Sequence, residues 1–139
     1  MADVTTNQLR VRLVTPERIL FEQAADAVEV PSKSGYMEVL YGHAPLLAEL
    51  GAGDVRLHNG TDIQIYNVNW GFVEVLPDRV TILANDALKP EEIDVPRAEK
   101  QLDKGLEMWK EAGDKEEAYD ASLRVIAEAE AKLATAQEK

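Results

Sequence analysis

The chain of 139 residues has no cysteine. That excludes disulfides, thiolate metal sites and thiol nucleophiles, and it is compatible with a reducing compartment. Positive charge is also scarce: 15 Lys and Arg stand against 26 Asp and Glu, a formal net charge of −11. Phosphate binding needs clustered Lys and Arg that release counterions, so nucleic acid is excluded as a partner, as is direct attachment to an anionic lipid surface. No apolar run approaches the roughly 18 residues that span a bilayer. Met1-Ala2-Asp3-Val4-Thr5-Thr6 has no basic, apolar or cleavable pattern of a signal or transit peptide. A soluble chain that meets a membrane only through a partner is expected.

Motifs of chemistry are missing too. There is no glycine-rich phosphate loop, no nucleophile elbow beside Ser32, Ser34 or Ser122, and no His-x-x-Glu-His or Asp-rich loop. The only histidines are His43 and His58. His58 flanks a turn and reads as a solvated residue, whereas His43, between Gly42 and Pro45, reads as packed or hydrogen-bonded. No catalytic residue and no metal ligand is predicted, so the chain is not expected to be an enzyme.

What is present divides in two. Up to Leu88, apolar residues alternate at every second position, as in Leu9, Val11 and Leu13 between Arg10 and Arg12, and turns recur at short intervals. About eight to ten short strands fit this stretch, which predicts a β-sandwich or flattened barrel over residues 1–88. Val28, Val30, Leu57, Trp70, Phe72 and Ile82 are the core candidates. Asn59-Gly60, between Val55–His58 and Thr61–Ile65, has the form of a two-residue type I′ hairpin turn. Pro77-Asp78 supplies another turn.

From Lys89 to Lys139 the period changes, giving an α+β chain overall. Pro90 and Pro96 break any continuous element across the junction Lys89–Ala98. Asp94 is placed to cap a helix that presents Val95, Ala98, Leu102, Leu106 and Trp109 on one face and stops at Gly113. Asp114 with Glu117 resembles a capping box for a second helix, along which Tyr119, Ser122, Ile126, Ala129, Leu133 and Ala136 form a stripe. Two helices so closely joined predict an antiparallel two-helix hairpin over residues 89–139, with small residues allowing close approach. Helices of this length are marginal without packing. From the residues alone the chain reads as a β-sandwich plus helical hairpin serving as an adaptor.

Ordered motifs carry the reading further. Ser34-Gly35, Gly42-His43-Ala44-Pro45-Leu46-Leu47, Trp70-Gly71-Phe72-Val73-Glu74-Val75, Val80-Thr81-Ile82-Leu83-Ala84 and Ile93-Asp94-Val95-Pro96-Arg97-Ala98 closely resemble the epsilon subunit of bacterial and chloroplast-type F-type ATP synthases. The resemblance covers essentially the whole chain. It implies a non-catalytic rotor component of the central stalk, peripheral on the cytoplasmic face of the bacterial plasma membrane, in a proton-translocating complex. Its implied partners are the gamma subunit, the c-subunit ring and the alpha/beta catalytic head. The implied c-ring contacts are Ser34, Gly35, Tyr36, Met37 and His43. The resemblance also implies a hairpin that folds against the sandwich or extends to block ATP hydrolysis, and in some members a regulatory ATP at residues matching Asp94, Arg97 and Ala98.

This chain departs from the pattern at several positions. Glu38 and Tyr41 stand where the ring loop usually has glycine and proline. Leu88 replaces an acidic residue of the ATP-binding members, and Glu128 and Lys132 replace two arginines. Residues 91–139 hold 14 acidic and 8 basic residues, a net of −6, where inhibitory hairpins are commonly basic. The competing reading is a free-standing adaptor of the same fold.

Overall fold

The structure, a computed structural model, describes residues 7–138. Met1 to Thr6, read above for a leader, and Lys139 lie outside the described residues. The chain divides into two compact units, one ending at Ala87 and the other beginning at Leu88.

The first unit is an eight-stranded β-sandwich: β1 (Leu9–Val14), β2 (Ile19–Ala25), β3 (Ala27–Ser32), β4 (Gly35–Leu40), β5 (Leu46–Leu50), β6 (Gly53–Asn59), β7 (Asp62–Leu76) and β8 (Arg79–Leu88). Hydrogen bonding runs β2-β1-β8-β7-β5-β3-β4, and β6 bridges β3 and β7. β1 and β8 are parallel, and the other registered pairs are antiparallel. Leu9, Val11 and Leu13 are fully buried while Arg10 and Arg12 face out, as the alternation requires. Val28, Val30, Leu57 and Ile82 join them in one core with Val39, Leu50, Val55, Val68, Val73 and Val75. Branched side chains dominate this core, which suits a pleated surface.

Trp70 and Phe72 are not in that core. Both lie on one 15-residue strand, β7, which runs on from the Thr61–Ile65 segment to Leu76. Its first half pairs with β6 through Val68, and its second half pairs with β5 from Gly71 to Val75. Between them the backbone kinks: Trp70 has φ 52° and Gly71 has φ 127°. The kink shifts the alternation by one residue, so Val68 is followed inward by Val73 and Val75, while Trp70 is only half-buried and Phe72 is 49% exposed. Gly71 is required there by space as well as by conformation. A Cβ would lie 1.9 Å from the Leu83 carbonyl oxygen.

The β6–β7 turn also differs from expectation. Asn59 pairs with Asp62, so the two turn residues are Gly60 and Thr61. Only Gly60 has positive φ, at 62°, the residue choice of a type II′ turn rather than I′. Contacts from elsewhere hold this register: Asn59 Nδ2 donates to the Ala24 carbonyl, and the Gly60 N–H donates to Asp26 Oδ2 at 2.7 Å.

The second unit holds two antiparallel helices, α1 (Val95–Ala112) and α2 (Glu116–Ala136). Asp94 caps α1, its Oδ1 accepting from the Arg97 N–H at 3.1 Å, and Gly113 ends it with φ 59°. The capping box expected at Asp114 is not formed: Lys115 occupies the cap position of α2 without a side-chain bond. The Lys115 N–H instead donates to the Ala112 carbonyl, closing the interhelix turn. The buried seam is Ala98, Gly105 and Ala112 on α1 with Ser122, Ala129 and Thr135 on α2. Of the predicted α1 face, Ala98 is buried, Leu102 is half-buried, and Leu106 and Trp109 are exposed. At Gly105 an added Cβ would stand 2.8 Å from Ile126 Cγ1 and 3.2 Å from the Ile126 nitrogen, so close approach of the helices fixes the seam.

Candidate functional site

The β3–β4 hairpin carries four of the predicted contact residues. Gly35, at φ 127°, opens β4, and Ser32 Oγ donates to the Gly35 carbonyl at 2.5 Å. Ser34 and Gly35 are exposed in this turn. Antiparallel pairing of β4 with β3, and of β3 with β6, then decides where each side chain goes. Val39 and Met37 pair with Val28 and Val30 on the inner face, and Met37 packs against the core. Tyr36, Glu38 and Leu40 are on the outer face. Tyr36 lies toward β6, where its hydroxyl accepts from the Asp54 N–H at 2.9 Å, yet the residue is 60% exposed. Gly53 makes room for it, since a Cβ there would collide with the Tyr36 hydroxyl.

His43 is not beside these residues. It lies past the far end of β4, about 10 Å of strand from Met37 and about 20 Å from Ser34, in the loop between β4 and β5. There the Gly42 N–H donates to the Pro77 carbonyl, and His43 Nδ1 lies 2.7 Å from the Ala44 carbonyl. This second end is apolar and open: Leu40, Tyr41, Leu46 and Leu47 are all exposed, Leu47 at 69%.

The junction is an ordered turn rather than a slack linker. Pro90–Glu92 form a single 3-10 turn. The Glu92 carboxylate accepts from the Lys89 N–H at 2.8 Å, and the Ile93 N–H donates to the Pro90 carbonyl. Of the three candidate nucleotide contacts, Asp94 and Arg97 are exposed, Asp94 with one carboxylate oxygen engaged by its own helix, and Ala98 is buried in the seam. Gln101, one turn further on, reaches Glu128 Oε1 at 3.3 Å. An acidic residue of α2 therefore stands close to this end of α1.

His58 departs from its reading as a solvated residue. Its Nε2 is 2.5 Å from Glu29 Oε2, with both side chains largely covered. Asp26, near the same corner, accepts from the Gly60 N–H and from Gln8 Nε2. These bonds favour its ionised form and hold its carboxyl below the ordinary aspartate range, despite full exposure. Nothing in the sequence flagged either pairing, because the partners are separated by tens of residues.

Residues 8–90 match the model of the ATP synthase delta/epsilon chain β-sandwich domain. An ATP synthase epsilon chain of Solibacter usitatus is 40% identical over 134 residues, covering 94% of this chain and 97% of that one. The chain belongs to the ATP synthase epsilon chain family. An epsilon chain of Koribacter versatilis is 45% identical over 87 residues, a stretch spanning 63% of this chain and 61% of that relative. In three dimensions, a chain of the mitochondrial ATP synthase OSCP/F1/c-ring assembly of Euglena gracilis superposes with a TM-score of 0.78 at 20% identity, covering 96% of this chain and 82% of that chain. The shared fold is thus the epsilon-chain β-sandwich followed by two helices. Among the described residues, no helix is long and apolar enough to cross a membrane.

Proposed function

We propose that this epsilon chain is a non-catalytic rotor coupling in the central stalk, joining the gamma subunit to the c-subunit ring beneath the alpha/beta head. In this reading it is held peripherally, on the cytoplasmic face of the membrane, through the complex. One observation carries the reading: the sandwich exposes apolar side chains at both ends of β4, Tyr36 at one and Leu40, Tyr41, Leu46 and Leu47 at the other. A part that transmits torque by staying attached needs two such surfaces on one stiff body. The bond from Asp54 to the Tyr36 hydroxyl keeps the first surface rigid. The turn at Ser34, Gly35 and Tyr36 is assigned to the ring. The Leu40–Leu47 end, with His43 in its loop, is assigned to gamma.

In the same reading the hairpin is a weak inhibitor of ATP hydrolysis. Its net charge of −6 over residues 91–139 opposes insertion toward an acidic surface of the head. The Asp94–Ala98 turn serves mainly as a helix start, and any regulatory ATP there rests on Arg97 against nearby Glu128.

Cross-linking in the reconstituted complex tests the assignment. Ser34→Cys is expected to join the c subunit and Leu47→Cys the gamma subunit. Absence of both products, with no co-purification of gamma, would leave a free-standing adaptor as the better reading. Deletion of residues 89–139 is expected to raise ATPase activity by less than about threefold, and a large release would overturn the weak-inhibitor assignment.

A further inference from the structure

The outer face of the β4–β3–β6 layer carries a group that the rotor reading does not use. Glu29 of β3 pairs directly with Glu38 of β4 on one side and with Arg56 of β6 on the other. His58 stands two residues beyond Arg56, opposite Ala27, and so shares this face. Ligand atoms of Glu29, Glu38 and His58 all lie within 4.8 Å of one another. Like charges directly opposed across a strand pair repel, yet among the described residues Glu38 has no ion-pair or hydrogen-bond partner. The guanidinium of Arg56 is 3.4 Å from Asp54 Oδ2, two residues back on the same strand.

We propose that Glu29, Glu38 and His58 form a binding site for a divalent transition cation of the zinc class. One imidazole nitrogen and two carboxylates are ligands that Zn²⁺ accepts at about 2.0–2.2 Å, with water completing the shell. The hard cations Mg²⁺ and Ca²⁺ take oxygen ligands and have no use for the imidazole. In tetrahedral geometry neighbouring donors stand about 3.4 Å apart. Glu29 and His58 must therefore open by about 1 Å from their present contact, and Glu38 must close by a similar amount. Rotation of the exposed Glu38 side chain supplies the second movement, and adjustment of the partly covered Glu29 and His58 side chains supplies the first. The cation takes the place of the direct contact between His58 Nε2 and Glu29 Oε2. Three adjacent strands are thereby tied together, including the one that presents Tyr36. The inference stands on this face alone and is independent of which partners the sandwich meets.

Zinc titration of the full-length chain tests it, by calorimetry and by thermal melting at neutral pH. One equivalent is expected to bind, and a hundredfold excess of Zn²⁺ over its dissociation constant is expected to raise the melting temperature by about 5 °C or more. Equal Mg²⁺ should leave it unchanged. His58→Asn and Glu38→Gln should each weaken zinc binding at least tenfold, with unchanged far-ultraviolet circular dichroism. The histidine resonances should show His58 perturbed and His43 not. No binding, equal binding by Mg²⁺, or binding that survives both substitutions as scattered carboxylate attachment would each overturn the proposal.

Discussion

The two units bury their interiors in opposite ways. The sandwich fills its core with large branched side chains, and Leu9, Leu13, Leu50, Leu57 and Ile82 are wholly enclosed. The hairpin closes on small residues, Ala98, Gly105, Ala112, Ser122 and Ala129, and leaves Leu106, Trp109, Tyr119 and Leu123 outside. Burial stabilises by roughly 25 cal/mol per Å² of apolar surface, so the sandwich gains most from its side chains. The hairpin gains mainly from backbone proximity and little from its largest apolar groups. That difference leaves the sandwich with the more strongly held interior and the hairpin with the more easily opened one. On α1 the residues at a seven-residue spacing, Ala98, Gly105 and Ala112, face the partner helix, while Leu106 and Trp109, one and four residues beyond Gly105, are open to solvent.

Substitutions can break this contrast in order of size. The largest effect is expected for Gly71→Ala. A Cβ in van der Waals conflict with the Leu83 backbone, at a positive φ, should cost about 3 kcal/mol or more in denaturant unfolding of the sandwich. Gly105→Leu should overpack the seam and lose about 1–3 kcal/mol of hairpin stability, read as lost helical protection in hydrogen exchange, with the sandwich amides unaffected. If both units weaken together, the separation of the two interiors is wrong. Asp94→Ala removes the cap and should cost the hairpin about 1 kcal/mol, seen as fraying of Val95 to Ala98.

The smallest effect belongs to Asp26. Its carboxyl titrates lower in the folded chain than in the unfolded one. Its contribution is therefore complete above the ordinary aspartate range and is lost as pH falls through the depressed folded value. Asp26→Asn should flatten the acid limb of the stability curve slightly and leave neutral-pH stability of the rest of the sandwich almost intact, because the group is fully exposed.

Much of the architecture was legible in the chain. The alternation around Arg10 and Arg12, the prolines of the junction, the cap at Asp94 and the stop at Gly113 each act within a few residues, so local physics sufficed to read them. Misreadings arose where distant strands intervene. The turn at Asn59-Gly60 moved on by one residue because Ala24 and Asp26 engage it. Trp70 and Phe72 left the core because β7 exchanges one partner for another and kinks to do so. The candidate contacts divided likewise: strand pairing turned Met37 inward, stretched Tyr36 toward β6 and put His43 at the far end of β4.

The sequence by itself determined the period of each segment, the start of α1 at Asp94, its stop at Gly113 and the family, because these depend on residue order over short spans. Only the tertiary structure decided which face each residue occupies after the kink at Gly71, and which small residues form the hairpin seam. It alone also brought Glu29, Glu38 and His58 together from three strands. The reason is physical. Parity along a strand is a local property, but the residue standing opposite is set by register between strands, and register is fixed only when the whole core packs.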